Sequence, residues 1–238
     1  MTTISNRLQD ILATIELTKT NANCPQQVTL LAVSKAQSAS MMRQAYAAGQ
    51  TKFGENYLQE ALEKQTELTD LTIEWHFIGP IQSNKTQAIA QHFSWVHSVD
   101  RLKIAQRLND TRPKNIPPLQ ICIQLNISNE VSKGGVAPQD LEELASKIVS
   151  LPQLKLRGLM AIPAPTNNVH EQRAQFKQVR ECYDVLLAKG FVLDTLSIGM
   201  SDDYKVAIEQ GATIVRIGSA LFGSRLGLTK KDAVANED

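Results

Sequence analysis

Cysteine is scarce. Cys24, Cys122 and Cys182 are the only three in 238 residues, far apart and odd in number, so they build no disulfide framework. They do not fall at zinc spacing either, and four histidines without paired spacing offer no metal site. Reduced thiols in a cytoplasmic protein are the expectation. An excess of charge is also missing. Lys and Arg number 25 and Asp and Glu 24, a formal net charge of +1, which gives no bulk electrostatic grip on nucleic acid. No stretch approaches the roughly 18 apolar residues that span a bilayer, so no membrane partner is expected. The opening MTTISNRLQDILATIEL lacks a basic start followed by an apolar block. It reads as an amphipathic helix rather than a secretory signal.

What is present is a core-forming composition, 42% hydrophobic and 21% charged. Short apolar runs alternate with helical patterns. TLLAVS, TKFGE, IEWHFIG, SWVHSVD, LQICIQLNI, LKLRGLMAI, TLSIG and ATIVRIG read as strands, and nearly every one is followed by a helix. The helix ASMMRQAYAAG stops at Gly49, and HEQRAQFKQVRECYDVLLAKG stops at Gly190. Asn56 is expected near the N-cap of NYLQEALEKQTEL. Eight strand–helix units in this length predict an α/β fold, a closed (β/α)8 TIM barrel in one domain, with an extra N-terminal helix from Ile4 to Thr18. The barrel is assigned to residues 1–228 and a polar tail to 229–238. An open doubly wound sheet is the runner-up. It would more often carry a glycine fingerprint after its first strand, and none is present.

In such barrels chemistry sits at the carboxyl ends of the strands. The positions there are Lys35, Glu55 and Asn56, His76 to Gly79, His97, Asn126, Met160, Met200 and Ser201, and Arg216 to Ser219. Lys35 ends an apolar strand. Most lone lysines at such places reach out to water. An amine held among apolar neighbours instead loses hydration, which lowers its pKa and frees its lone pair to attack an aldehyde. Ser132-Lys133 repeats the pair in a polar, glycine-rich loop, where the lysine stays protonated, so Lys35 is the better Schiff-base candidate.

A closed barrel pairs its eighth strand with its first, which sets Arg216 and Gly218 beside Lys35. Gly218-Ser219 lead into a short helix, and Ser201 opens the loop after strand seven. Loops seven and eight are the usual phosphate site of this fold. Each alone reads equally well as an ordinary capped helix. Together with the lysine they suggest a phosphorylated aldehyde as ligand. His76 and His97 sit on strands, and a hydrogen-bonded structural role is the simpler reading, with His76 a candidate for the pocket wall. The basic residues of RLKIAQRLND read as a solvated helix face.

The segments AVSK, KFGENYLQEA, WHFIGPIQSNK, HSVD, NISNEVSKGG, RGLMAI, SIGMSDDYKVAI and VRIGSALFG run in order from about Thr29 to Gly223. Together they resemble the pyridoxal phosphate homeostasis protein family, single-domain barrels similar to the N-terminal domain of alanine racemase. The resemblance implies that pyridoxal 5′-phosphate is held on Lys35. It implies that Ser201, Gly218 and Ser219 cradle the phosphate, with Met200 beside them. Arg216 would face the pyridine ring and Asn56 lie near its substituents. His76 completes the expected cofactor-binding set, and no residue is expected to be catalytic. Ile81, Ile198 and Ser219 depart from the leucine, methionine and threonine common in that family. Ser219 keeps a hydroxyl.

The expected role is therefore cofactor storage or delivery by a monomer, with recipient pyridoxal-phosphate enzymes as partners. A racemase of this kind needs a second base, supplied by a further domain that this chain is not expected to contain. Three alternatives stay open on the residues alone: a pyridoxal-phosphate amino-acid racemase, a cofactor-free Schiff-base lyase, and a barrel kept for protein contacts.

Overall fold

The computed structural model of the chain describes residues 2–127 and 134–223. Lys133, residues 224–228 and the tail 229–238 lie outside the described residues. Eight parallel strands close into a barrel in sequence order: β1 (Thr29–Val33), β2 (Lys52–Glu55), β3 (Glu74–Phe77), β4 (Trp95–Val99), β5 (Leu119–Leu125), β6 (Leu154–Ala161), β7 (Thr195–Ser197) and β8 (Ile214–Ile217). The predicted (β/α)8 barrel is the observed fold. Helix α1 (Ile4–Asn21) precedes it and runs three residues past the expected Thr18. The others follow their strands: α2 (Ala39–Ala47), α3 (Leu58–Glu67), α4 (Thr86–His92), α5 (Leu102–Thr111), α6 (Leu141–Ile148), α7 (Val169–Ala188), α8 (Tyr204–Glu209) and the single turn α9 (Ser219–Phe222).

Local chemistry explains these limits. Thr3 caps α1 by accepting from the Asn6 N–H at 3.2 Å, and Asn168 caps α7 through the His170 and Glu171 N–H groups. Pro138 opens a 3₁₀ turn ahead of α6, where its missing N–H costs nothing. Asn56 lies next to the N-cap of α3, as expected; Tyr57 takes the cap position itself, and no side chain bonds there. Helical stripes then bury themselves: Ile4, Leu8, Ile11 and Ile15 of α1 on the side of α2, α8 and α9, and Leu141, Leu144, Ala145 and Ile148 of α6 and Phe176, Val179, Tyr183 and Leu186 of α7 on the side of the sheet. Each large side chain so buried contributes about 1.5–3 kcal/mol.

Closure depends on β8 lying against β1, with Leu31 opposite Arg216 and Ala32 opposite Ile217. One irregularity tightens the ring. Ile121 pairs with Leu156 but Cys122 pairs with Gly158, so Arg157 is an extra residue in β6. There β7 approaches so closely that a Cβ on Gly158 would lie 1.7 Å from the Thr195 carbonyl oxygen. Substituting Gly158→Ala must push β7 away and should lower stability by roughly 3 kcal/mol, read as a shift in the urea unfolding midpoint. A wild-type midpoint would show that β7 yields freely.

Candidate functional site

At the carboxyl ends of β1, β2, β6, β7 and β8 lies a cavity of about 230 Å³. That is below the range of drug-sized ligand pockets and suits one small molecule. Lys35, Asn56, Met200, Ser201, Arg216, Gly218 and Ser219 all line it, with Ile78, Ile162, Gln37 and Asp202 beside them. The strand ends therefore bring seven of the eight predicted residues together. His76 is the exception. It lies inside the barrel, 1% exposed, its ring stacked on Trp95 and hydrogen-bonded to Glu74 and His97. Its ring shares a strand face with Ile78 but sits one layer deeper, away from the cavity. A wider depression of about 550 Å³ lies on the barrel flank between α1 and α8, lined by Thr14, Leu17, Lys205 and Glu209. No residue at the carboxyl end of a strand lines it, so the smaller cavity is the one where this fold places chemistry.

Lys35 is held by its neighbours on both sides. The Ser34 N–H continues the sheet by donating to Gly54 O at 3.0 Å. The Ser34 hydroxyl donates to Glu55 Oε1 at 2.6 Å, and the Ala36 N–H donates to Glu60 Oε1 at 2.6 Å. Ala36 has φ of 57°, a left-handed conformation that costs an alanine about 1–2 kcal/mol and persists only where its surroundings fix it. What fixes it is Lys64, one turn along α3 from Glu60. Its ammonium gives its three N–H groups to three acceptors: Ser34 O at 2.7 Å, Glu55 Oε1 at 2.8 Å and Glu60 Oε1 at 2.5 Å. Glu55 is fully buried, so desolvation raises its pKa, and Lys64 and Ser34 oppose that rise. None of this was expected from sequence. The spacing Glu60 to Lys64 reads as an exposed i,i+4 pair, and nothing local reveals a carboxylate beneath it.

Arg216 is 4% exposed. Its Nη1 donates to Ser197 O at 2.6 Å and Ser197 Oγ at 2.9 Å, and Nη2 donates to Ala161 O at 3.0 Å. Burial lowers its pKa to about 10, which leaves it charged at neutral pH. Opposite, the Ser201 hydroxyl accepts from the Ala220 N–H at 3.4 Å, tying loop seven to α9. The Met200 N–H donates to Asp203 Oδ1 at 2.6 Å and closes that loop. Gly199 turns it with φ of 92°, where a side chain would also meet Ala207 at 2.6 Å. Asn56 Oδ1 is buried without a hydrogen-bond partner in the protein.

Among the described residues no cluster of His, Cys, Asp or Glu could hold a metal ion, and no helix is long and apolar enough to cross a membrane. Cys122 is buried and its thiol is pushed up to about 12, so it carries no thiolate chemistry.

This barrel, with a lysine, glycine and serines lining one strand-end cavity, matches the alanine racemase N-terminal domain family over residues 7–226. Pyridoxal phosphate homeostasis proteins of Pseudomonas aeruginosa and Escherichia coli K12 are 57% and 50% identical to this chain. The alignments cover 94% and 84% of this chain and 97% and 87% of theirs. The chain belongs to the pyridoxal phosphate homeostasis protein family. Among solved structures, PipY of Synechococcus elongatus PCC7942 with PLP bound is 38% identical with a TM-score of 0.82, covering 92% of this chain and all of its own. Alanine racemase of Corynebacterium glutamicum, 19% identical with a TM-score of 0.68, shares the fold over 93% of this chain and 64% of its own.

Replacing Lys64 by Met strands the Glu55 carboxylate and should cost about 3–5 kcal/mol. Lys64→Met combined with Glu55→Gln should recover most of the loss, because the uncompensated charge is then gone. Equal losses in the single and double variants would show that the ion pair is not the source.

Stability should also fall with acid in two steps. Burial depresses the pKa of His76 and His97 below the ordinary 6.5, so both take up protons on unfolding and stability is lost as pH drops below 6.5. Glu74 is held down to about 2 by the His76 hydrogen bond and by Lys52, so its contribution is present above 4.5 and lost between 4.5 and 2. The largest cause of the Glu74 shift, the hydrogen bond from His76, does not need a charged ring. Urea midpoints measured across pH should show both steps, and His97→Gln should flatten the first. A midpoint independent of pH between 7 and 5 would contradict buried neutral histidines.

Proposed function

We propose that this chain binds pyridoxal 5′-phosphate in the strand-end cavity, with Lys35 holding it as a Schiff base, and that it serves cofactor homeostasis in the cytoplasm. The observation that carries this reading is the donor set gathered on one small cavity. A lysine amine, a buried guanidinium and two serine hydroxyls, with Asn56 beside them, suit a phosphorylated aldehyde with a heteroaromatic ring. The relatives named for pyridoxal phosphate homeostasis, and PipY with PLP bound, support the same ligand. Bound there, the cofactor supplies an aldehyde carbon to which Lys35 Nζ bonds with loss of one water.

Each residue has a distinct task in this reading. The clamp of Lys64, Glu55 and Glu60 fixes the backbone that presents Lys35. Ser201 and Ser219 offer hydroxyls to the phosphate, and Gly218 leaves its backbone open to it. Arg216 would offer N–H donors to the pyridine nitrogen of a bound cofactor. A guanidinium that stays charged to about pH 10 would keep that nitrogen unprotonated, which would weaken the ring as an electron sink. The ionisable groups lining the cavity among the described residues are Lys35, Asp202 and Arg216. Two-base proton transfer at an amino-acid α-carbon would therefore have Asp202 as its one carboxylate among these residues. These features favour holding and releasing the cofactor, with recipient pyridoxal-phosphate enzymes as partners, over turning over amino acids.

Lys35→Ala should abolish the visible absorption band and the borohydride-fixed adduct while leaving the far-ultraviolet circular dichroism unchanged. A surviving adduct would move the assignment to another lysine, Lys133 first. Cofactor-loaded wild type incubated with amino acids in deuterated buffer should exchange α-protons far more slowly than ordinary enzyme turnover, about 1–1,000 per second. Exchange at such rates would make the protein a racemase.

A further inference from the structure

Interiors of barrels of this kind are filled mainly by branched aliphatic side chains. This one carries a continuous polar line. Glu74 Oε1 is 2.9 Å from His76 Nε2, and His76 Nδ1 is 2.9 Å from His97 Nε2. His97 Nδ1 is 2.9 Å from Ser197 Oγ, which accepts from Arg216 Nη1 at 2.9 Å. His97 and Ser197 lie on β4 and β7, on different sides of the ring, so the line runs through the barrel interior. Both are fully buried, and His76 is 1% exposed. The two ends differ. Glu74 sits at the amino end of β3 with its side chain 34% exposed, while Arg216 borders the cavity. Ile78 at the cavity is four residues beyond Glu74, about 13 Å along an extended strand.

Hydrogen-bonding chemistry leaves this line one direction. Arginine only donates, so Ser197 Oγ accepts from it. An ionised Glu74 only accepts, so His76 carries its hydrogen on Nε2. In a neutral His76, Nδ1 is then an acceptor, and His97 must carry hydrogen on Nε2. In a neutral His97, Nδ1 is likewise an acceptor, and the Ser197 hydroxyl donates to it. Each of the four bonds points from Arg216 toward Glu74. Burial keeps both rings neutral, and Glu74 is ionised at neutral pH.

We propose that His76, His97 and Ser197 form a polarised relay that positions the Arg216 guanidinium at the cavity and couples it to the charge of Glu74 at the opposite end of the barrel. Its consequence for the cofactor rests on the binding reading above, whereas the direction of the relay is a property of the chain alone. His76 and His97 are positioning residues. Three guanidinium N–H groups are taken, two by Ser197 and one by Ala161 O, so two remain to offer a ligand. A proton on His97 would reverse its bond to Ser197 and turn the serine hydroxyl away. The charged groups facing the line are Lys52 on β2, 3.1 Å from Glu74, and Arg157 on β6, 4.7 Å over the Trp95 ring that stacks on His76. Asp194 before β7 pairs with Arg157 at 2.6 Å, Asp203 after β7 acts on Arg216, and the Cys122 thiol on β5 is neutral. Opposite Arg216, β1 contributes only Leu31.

Nitrogen-15 NMR of the histidine rings in the cofactor-free protein tests the direction. Both rings should be neutral with hydrogen on Nε2 at pH 7. Ser197→Ala should shift the His97 Nδ1 resonance, and Ser197→Thr, which keeps the hydroxyl, should restore it. A second arm follows the visible absorbance of bound pyridoxal 5′-phosphate against pH, together with its dissociation constant. Glu74→Ala, remote from the cavity, should move that pH profile and weaken binding by about threefold to tenfold. The relay is overturned if wild-type His97 carries hydrogen on Nδ1 or is charged at pH 7. It is equally overturned if folded Glu74→Ala keeps both the wild-type ring shifts and the wild-type pH profile. Should no adduct form at Lys35, the binding reading fails and the ring measurements alone decide the relay.

Discussion

The pairing of β8 with β1 is the contact on which the site depends. Four register pairs, from Thr29 with Ile214 to Ala32 with Ile217, close the ring between segments nearly 190 residues apart. Without that ladder Lys35 and Arg216 would belong to distant parts of the chain. With it, Arg216 sits opposite Leu31, and Gly218 lies against Val33, a Cβ there reaching within 3.2 Å of the Val33 carbonyl oxygen. Parallel pairing over such a separation carries a loop-closure cost that grows only logarithmically with length, and β-sheet and helix burial outweigh it. Function therefore follows from closure, because the two ends of the barrel sequence supply the amine and the guanidinium.

Burying charge beside such a site is expensive unless every group finds a partner, since an unpaired buried ion costs several kcal/mol. The chain meets this in two different ways. On the β1–β2 side the ammonium of Lys64 is divided among three acceptors, and its position is set by α3. On the β7–β8 side Arg216 is divided between Ser197 and Ala161, and its position is set by other strands. The first arrangement sets one ammonium between two carboxylates and holds backbone, including the strained Ala36. The second sends hydrogen bonding away through the barrel interior. One is a clamp on the residue that would bond the ligand, the other a brace on the residue that would face it.

Most of the architecture was legible because a (β/α)8 barrel repeats one signal. Apolar runs five to nine residues long, nearly every one followed by a helical stripe, leave few other topologies open. The strand-end rule then located Lys35, Ser201, Arg216, Gly218 and Ser219 without knowledge of side-chain directions. Depth along a strand was not legible. His76 and Ile78 share a face with period two, yet only Ile78 reaches the cavity, because barrel tilt and shear set which layer ends at the mouth. Asn56 was legible only as a neighbour of the α3 cap: Tyr57 is the cap itself, and the burial of Asn56 Oδ1 has no local signal.

Lys64 shows a deeper limit of local pattern. In LQEALEKQTEL it has the composition of a solvated helix face, and lysine is almost never fully buried without a pair. Its partner Glu55 lies at the end of β2, nine residues earlier, and becomes its partner only when α3 folds back onto that strand end. The buried histidines are the same case at longer range, since His97 and Ser197 are 100 residues apart. Groups that act through each other across a barrel have no shared period or spacing to detect. They become visible only when the ring closes, and so the contact between β8 and β1 is also what makes the interior polar line a single structure.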